Sequence, residues 1–338
     1  MEIVKVDPLL CKFELPLRAV YHPLGFSVEI TTNSPEVLEG AEESWRRFRK
    51  VFSEPPVQLR IGVLEGGPAG CPPPPVWRGH RNLCIQIADA GNYAVCDMVQ
   101  GFAFIWLTPA AVKNRAYLRY HFLEGTTWNL LDTLYLTSIH GACVQLAGRG
   151  VLLCGDSGAG KSSLAFACAR RGWTFLCDDS SCLIRRRPGR VVTGNPYQMC
   201  FVESAIQLFP ELKEQRLTRR LTGEMAIELA TASMPEIATA TECSVDYIVF
   251  LNRQAPEPPG LRPFPKDIAL QWFEQYVCCC EEGVVCAQKA SLRNLLTAEI
   301  FEMRYGDLDS AVRLLEGLVR DSGQPVEERA QLEIQRHA

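Results

Sequence analysis

The run Gly155-Asp-Ser-Gly-Ala-Gly-Lys-Ser162 follows the apolar stretch Gly150-Val-Leu-Leu-Cys154. It reads as a buried strand, a glycine-rich turn and the start of a helix, and it fits G-x-x-x-x-G-K-[ST], a phosphate-cradling pattern. Gly155, Gly158 and Gly160 let the backbone turn with no side chain in the way of a phosphate. Successive N–H groups then converge on phosphate oxygens, and the helix that follows aims its positive end at the same place. Lys161 adds a mobile cation for β- and γ-phosphates, and Ser162 offers a hydroxyl to Mg²⁺. The expected nucleotide contacts are Gly155, Asp156, Ser157, Gly158, Ala159, Gly160, Lys161, Ser162 and Ser163.

A second group of residues complements the loop. Asp178 and Asp179 close the strand that follows the loop helix. A strand–helix–strand crossover brings the ends of two parallel strands to one sheet edge, so both carboxylates are expected beside the phosphates. Adjacent carboxylates repel unless a cation neutralises them, and Mg²⁺-nucleotide supplies one. One acid can hold the metal while the other accepts a proton from an attacking hydroxyl. Asp178 is the expected metal ligand with Ser162, and the pair lies too soon after the loop for the acidic strand of typical ABC-type ATPases. His140 joins them by geometry. Residues 140–146 and 150–154 read as a hairpin across Ala147-Gly-Arg-Gly150, which, centred near Arg149, sets residue 140 roughly opposite residue 158.

The elements that must position these groups follow from periodicity and breakers. Residues 1–115 read as an α+β domain, 116–137 as a largely buried connecting helix, 138–320 as the nucleotide domain and 321–338 as a polar tail. In the first domain, strands are expected at 26–31, 57–64, 84–88, 93–98 and 102–107, and a helix runs from the Asn33-Ser34-Pro35-Glu36 cap to about Val51. Residues 66–75, with four consecutive prolines, read as an exposed loop. In the second domain, a helix over 162–171, a strand at 173–177, a hairpin of 182–185 with 190–192 and a short helix at 203–209 come first. Residues 211–242 read as loop-rich, 247–251 as a strand, 255–265 as a loop, 301–305 as a strand and 308–319 as an amphipathic helix.

Composition narrows the function class. The chain has 338 residues, 47% hydrophobic and 22% charged, in the ordinary range for a globular protein with its own core. A formal charge of -4 speaks against a general nucleic-acid or anionic-membrane binder. No run of eighteen apolar residues is present, and Met1-Glu-Ile-Val-Lys-Val-Asp lacks a signal-peptide core, so a cytoplasmic protein is expected. The 15 cysteines show no zinc-type spacing and read mainly as small buried hydrophobes, with the triplet Cys278-Cys279-Cys280 the one candidate for redox chemistry.

With these residues in place, 138–186 resembles the kinase domain of HPr kinase/phosphorylase and HPr-kinase-like proteins. The text that carries the resemblance is Ser138-Ile-His140, the 150–162 run and Arg171-Gly-Trp-Thr-Phe-Leu-Cys-Asp178-Asp179, and Tyr305-Gly-Asp-Leu-Asp-Ser-Ala-Val312 adds to it. The resemblance implies an α/β fold with a mixed sheet and a P-loop core similar to phosphoenolpyruvate carboxykinase. It implies ATP and Mg²⁺, phosphorylation of a serine or other hydroxyl, and roles for Asp178, Asp179, His140 and Lys161 in catalysis. It also makes a homo-oligomer an expectation. The sequence departs from the family in two places. Asn195-Pro-Tyr-Gln-Met-Cys-Phe-Val-Glu203 stands where the family has a glycine- and arginine-containing loop, and the residues before 138 do not match its N-terminal domain. HPr as the substrate does not follow. The alternatives are a non-catalytic nucleotide-binding regulator or scaffold and a small-molecule kinase or carboxykinase-like enzyme. Candidates for a transition-state arginine are Arg185, Arg186, Arg187, Arg216, Arg219, Arg220 and Arg253, and Glu203 is a further candidate acid.

Overall fold

The computed structural model describes residues 13–219, 223–253, 258–277 and 281–320. The signal-peptide reading of the first seven residues, Arg220, part of the 255–265 loop, the cysteine triplet and the polar tail lie outside the described residues. The fold is mixed α/β. Contacts divide the chain into two compact units, Met1–Leu136 with Cys279–Cys286, and Thr137–Cys278 with Ala287–Ala338.

The first unit is built on seven strands: β1 (Leu17–Tyr21), β2 (Val28–Thr32), β3 (Val57–Val63), β4 (Val76–His80), β5 (Leu83–Asp89), β6 (Asn92–Asp97) and β7 (Phe102–Leu107). Their order is β1-β2-β3-β7-β6-β5-β4, with β2, β3 and β7 parallel and the other pairs antiparallel. Alternation decides the faces: Val28 and Ile30, Val57, Leu59 and Ile61, and Ala103 and Ile105 are all buried. Helix α1 (Pro35–Trp45) makes the crossover between β2 and β3. It ends at Trp45 rather than Val51, because Val51 and Phe52 give their N–H groups to the carbonyl of Gly25. Residues 109–134 form α2 (Pro109–Lys113), α3 (Arg115–Tyr117), a π-helical stretch Leu118–Gly125 and α4 (Thr126–Leu134). β1 and β4, both sheet edges, went unseen in the sequence.

The second unit carries the loop. Its first elements are β8 (Leu136–Leu146), β9 (Arg149–Cys154), α5 (Lys161–Arg170), β10 (Thr174–Cys177), β11 (Ser180–Ile184) and β12 (Val191–Thr193). β13 (Gln198–Phe201), β14 (Leu217–Arg219) and β15 (Met225–Ala230) form a small antiparallel sheet. β16 (Glu242–Asn252), β17 (Gly260–Pro263), α6 (Lys266–Glu274), α7 (Glu282–Leu295), β18 (Glu299–Arg304) and α8 (Leu308–Arg320) complete it. β9 lies between β8, antiparallel, and β16, parallel, while β8 runs on to β11, β11 to β12 and β12 to β16. The pairings therefore close into a ring of which the loop-bearing strand β9 is one member. β10 and β9 are both antiparallel to β8, hence parallel to each other with β8 between them. β9 is apolar without alternation because both its faces are covered: Val151 and Leu153 pack with α5 and α8, Leu152 and Cys154 with α6 and α7.

Three expectations need correction. The β8–β9 turn is the two-residue Ala147-Gly148, both at positive φ, so Leu146 pairs Arg149 and Gly141 pairs Cys154. His140 therefore comes level with residue 155, not 158. The described residues of the 211–242 stretch are structured, with β14, β15 and the 3-10 turn Pro210–Glu214, and they bury Leu212, Ile227 and Leu229. Within 255–265, Gly260–Pro263 is an edge strand on β18.

Candidate functional site around the glycine loop

The carboxyl end of β9 opens into the loop. Gly155, Gly158 and Gly160 have φ of 150°, 83° and 97°. At Gly160 a Cβ would lie 2.9 Å from the Tyr305 hydroxyl, so both φ and space require glycine there. Residues 156–158 are exposed, and α5 begins at Lys161 with no side-chain cap on its first amides. Tyr305, just past the end of β18, donates its hydroxyl to the Ala159 carbonyl at 3.0 Å. Burial pushes that phenol up to about 12, against the opposing charge of Arg253.

Lys161 is buried, and its ammonium has three acceptors: Gly155 O at 2.7 Å, Asp156 O at 3.1 Å and His140 Nε2 at 2.9 Å. These match its three protons. The other ring nitrogen, His140 Nδ1, is 3.4 Å from Asp179 Oδ1. The partners fix the tautomer: Nε2 accepts from the ammonium, so Nδ1 carries the proton and faces the carboxylate. Burial, then the Lys161 charge, lowers the His140 pKa, with Asp179 and Asp156 opposing. Burial likewise lowers the Lys161 pKa.

The two acids differ. Asp178 is buried and accepts the Cys200 N–H at 2.5 Å, while its carbonyl accepts the Ser162 hydroxyl at 3.3 Å. The Asp179 side chain is 56% exposed and faces the histidine. One carboxylate is held by backbone and the other is open to an incoming group. The expected residues Lys161, His140 and Asp179 are thus joined in one chain of contacts, with Ser162 and Asp178 tied together beside it.

The candidate arginines divide. Arg185 donates to the Thr137 hydroxyl at 3.5 Å and Arg187 pairs with Glu242 at 3.6 Å, as hairpin-edge residues do. Arg186 lies on the same hairpin, Arg216 is exposed, and Arg219 ends β14. Glu203 is exposed at the start of the 3-10 turn Glu203–Gln207. Arg253 is exposed and directly follows β16, and its charge reaches the Tyr305 phenol against the loop.

Sequence reasoning missed three side chains. Tyr305 was recognisable in principle, since β18 is parallel to β16 and ends at the same sheet edge as β9. Trp272 and Tyr276, whose rings lie 6.4 and 5.5 Å from the His140 ring, come from a helix and turn to which no element had been assigned. Among the described residues no cluster of three or more His, Cys, Asp or Glu is arranged to hold a metal, and no helix is long and apolar enough to cross a membrane.

Residues 134–203 match the HPr Serine kinase C-terminal domain. That stretch of the chain is HPr-kinase-like. The chain is 38% identical over 150 residues to an HPr kinase/phosphorylase of Polaromonas naphthalenivorans, covering 43% of this chain and 37% of that protein. It is 34% identical over 120 residues to a putative HPr kinase/phosphorylase of Fusobacterium nucleatum, covering 33% of this chain and 19% of that protein. The chain thus spans well under half the length of these relatives. A solved Hpr(Ser) kinase/phosphatase from Coxiella burnetii aligns with 58% of this chain and 98% of its own, at 17% identity and a TM-score of 0.31, too low to carry an argument. The HPr-kinase-like match takes in His140, the whole loop and both aspartates, and it stops at Glu203.

Proposed function

We propose that the chain is an ATP-dependent phosphotransferase of the HPr-kinase type, with a P-loop core like that of phosphoenolpyruvate carboxykinase, acting on a serine or other hydroxyl. The observation that carries this reading is the contact chain from Lys161 through His140 to Asp179 at the mouth of the glycine loop. The loop amides and Lys161 bind the triphosphate. Asp179 takes the proton of the acceptor hydroxyl as its oxygen bonds to the γ-phosphorus and the bond to the β–γ bridging oxygen breaks. That oxygen leaves with ADP. His140 holds Asp179 toward the acceptor and holds the ammonium toward the loop.

The donors fit Mg²⁺. The Ser162 hydroxyl reaches the Asp178 main chain, so it and the Asp178 carboxylate are oxygen donors on neighbouring stretches of chain, and Mg²⁺ ordinarily uses one or two such protein groups together with substrate phosphates. Bound there, it would neutralise charge that develops on the transferred group.

Labelled-ATP transfer assays and calorimetry with MgATP test the reading. Asp179→Asn is expected to lower transfer about 10²–10⁴-fold with nucleotide affinity kept. Transfer near the wild-type rate in that variant removes Asp179 as the base. A regulator that binds but does not turn over is favoured by one observation, the Cys200 N–H already seated on Asp178. Tight MgATP binding with no transfer and no hydrolysis would decide for it.

A further inference from the structure

Beside His140 stands a ledge of rings. Tyr276 is 5.5 Å from the His140 ring and 5.2 Å from Trp272. Trp272 is itself held edge-on against Phe250 at 5.3 Å and Phe273 at 5.2 Å, and Phe264 stacks on Phe250 at 4.4 Å. The inner rings Phe250 and Phe273 are core residues, Trp272 is half-buried, and Tyr276 at the outer end is 37% exposed. A large ring left open to solvent yet held between His140 and Trp272, with Trp272 itself packed on Phe250 and Phe273, is a preorganised surface, not a loose side chain. It also lies close to the chemistry. The negative charges of Asp156 and Asp179 both reach the Tyr276 phenol, adding to burial in raising its pKa.

Resting on the kinase reading above, we infer that Trp272 and Tyr276 form one wall of the acceptor site and select a hydroxyl substrate that carries a ring with an apolar face, aromatic or pyranose, next to its hydroxyl. The position decides for the acceptor over the nucleotide base. The ledge touches His140, the residue that links the loop to Asp179, so a ring lying on it sets the neighbouring hydroxyl against that carboxylate. Tyr276 and Trp272 are specificity residues in this scheme. They exchange no proton with the substrate.

The test compares matched probes on the full chain saturated with Mg²⁺ and a non-hydrolysable ATP analogue, with affinities measured by calorimetry. N-acetyl-seryl-phenylalaninamide is set against N-acetyl-seryl-alaninamide, and a methyl hexoside against glycerol, so the two arms separate a peptide ring from a sugar ring. In at least one arm the ring compound is expected to bind about tenfold more tightly than its ringless partner, and Tyr276→Leu, which keeps apolar bulk but no ring, is expected to remove the difference. Equal affinities within both pairs, including no binding at all, overturn the inference. So does a Tyr276→Leu variant that loses nucleotide affinity and keeps the ring preference, since the ledge would then serve the base. Binding of the nucleotide analogue alone to the wild type reports on the kinase reading separately.

Discussion

Residues 134–203 and the rest of the second unit contribute to the candidate site in different ways. The first stretch brings the chemistry in contiguous, pattern-bearing pieces: a loop with fixed spacing, a doublet of acids and a histidine one hairpin away. The second brings single side chains from separate elements, Arg253 after β16, Trp272 and Tyr276 at the end of α6, and Tyr305 after β18. Phosphate binding needs many backbone groups in one continuous turn, so it leaves a motif. Shaping a pocket needs only a few side chains pointing to one place, and these can come from anywhere along the chain.

Three substitutions break or sharpen this difference. Lys161→Met is expected to weaken MgATP binding by at least about a hundredfold. Without nucleotide it is expected to melt no lower than the wild type, because burial already opposes the Lys161 charge. Calorimetry and a melting curve with and without MgATP check both, and a variant that still binds takes the nucleotide away from the motif-bearing half. Arg253→Ala is expected to slow transfer about tenfold to a hundredfold with ATP affinity little changed, as loss of a cation that acts on the transferred group would. An unchanged rate in single-turnover assays would leave the later half with shape alone. The smallest effect is the pH dependence of His140. Its folded pKa is lowered, so the unfolded chain binds that proton more readily. The contribution of neutral His140 to stability is full above its ordinary value near 6.5 and is lost as pH falls below it toward the lowered folded value. Melting temperatures from pH 7 down to pH 5 are expected to fall more steeply in the wild type than in His140→Asn.

The same contrast explains what was legible. The loop, the acid pair and β8 to β12 were readable because strand periodicity, glycine positions and the crossover rule agree there. The hairpin register was misread by three residues because Ala147 takes a positive φ that its residue type does not announce. β14 and β15 were missed because they are short, three and six residues, with Glu228 inside β15, and burial of Ile227 and Leu229 depends on partners distant in sequence. Edge strands β1, β4 and β17 pair on one side only, which leaves weak alternation and room for polar residues. The helix α6 has Ala269 and Phe273 on one turn-spaced face after Pro265, a short signal in a proline-rich neighbourhood.

The three bonds of Lys161 have a thermodynamic corollary. Its ammonium is fully subscribed, to two loop carbonyls and an imidazole, so on the kinase reading a phosphate would gain its protons only by evicting a resident acceptor. Nucleotide affinity at this loop is then a small difference between old and new partners. Once the imidazole is displaced, its Nε2 is left to find another donor, which ties the arrival of nucleotide to the electronic state of the histidine beside Asp179.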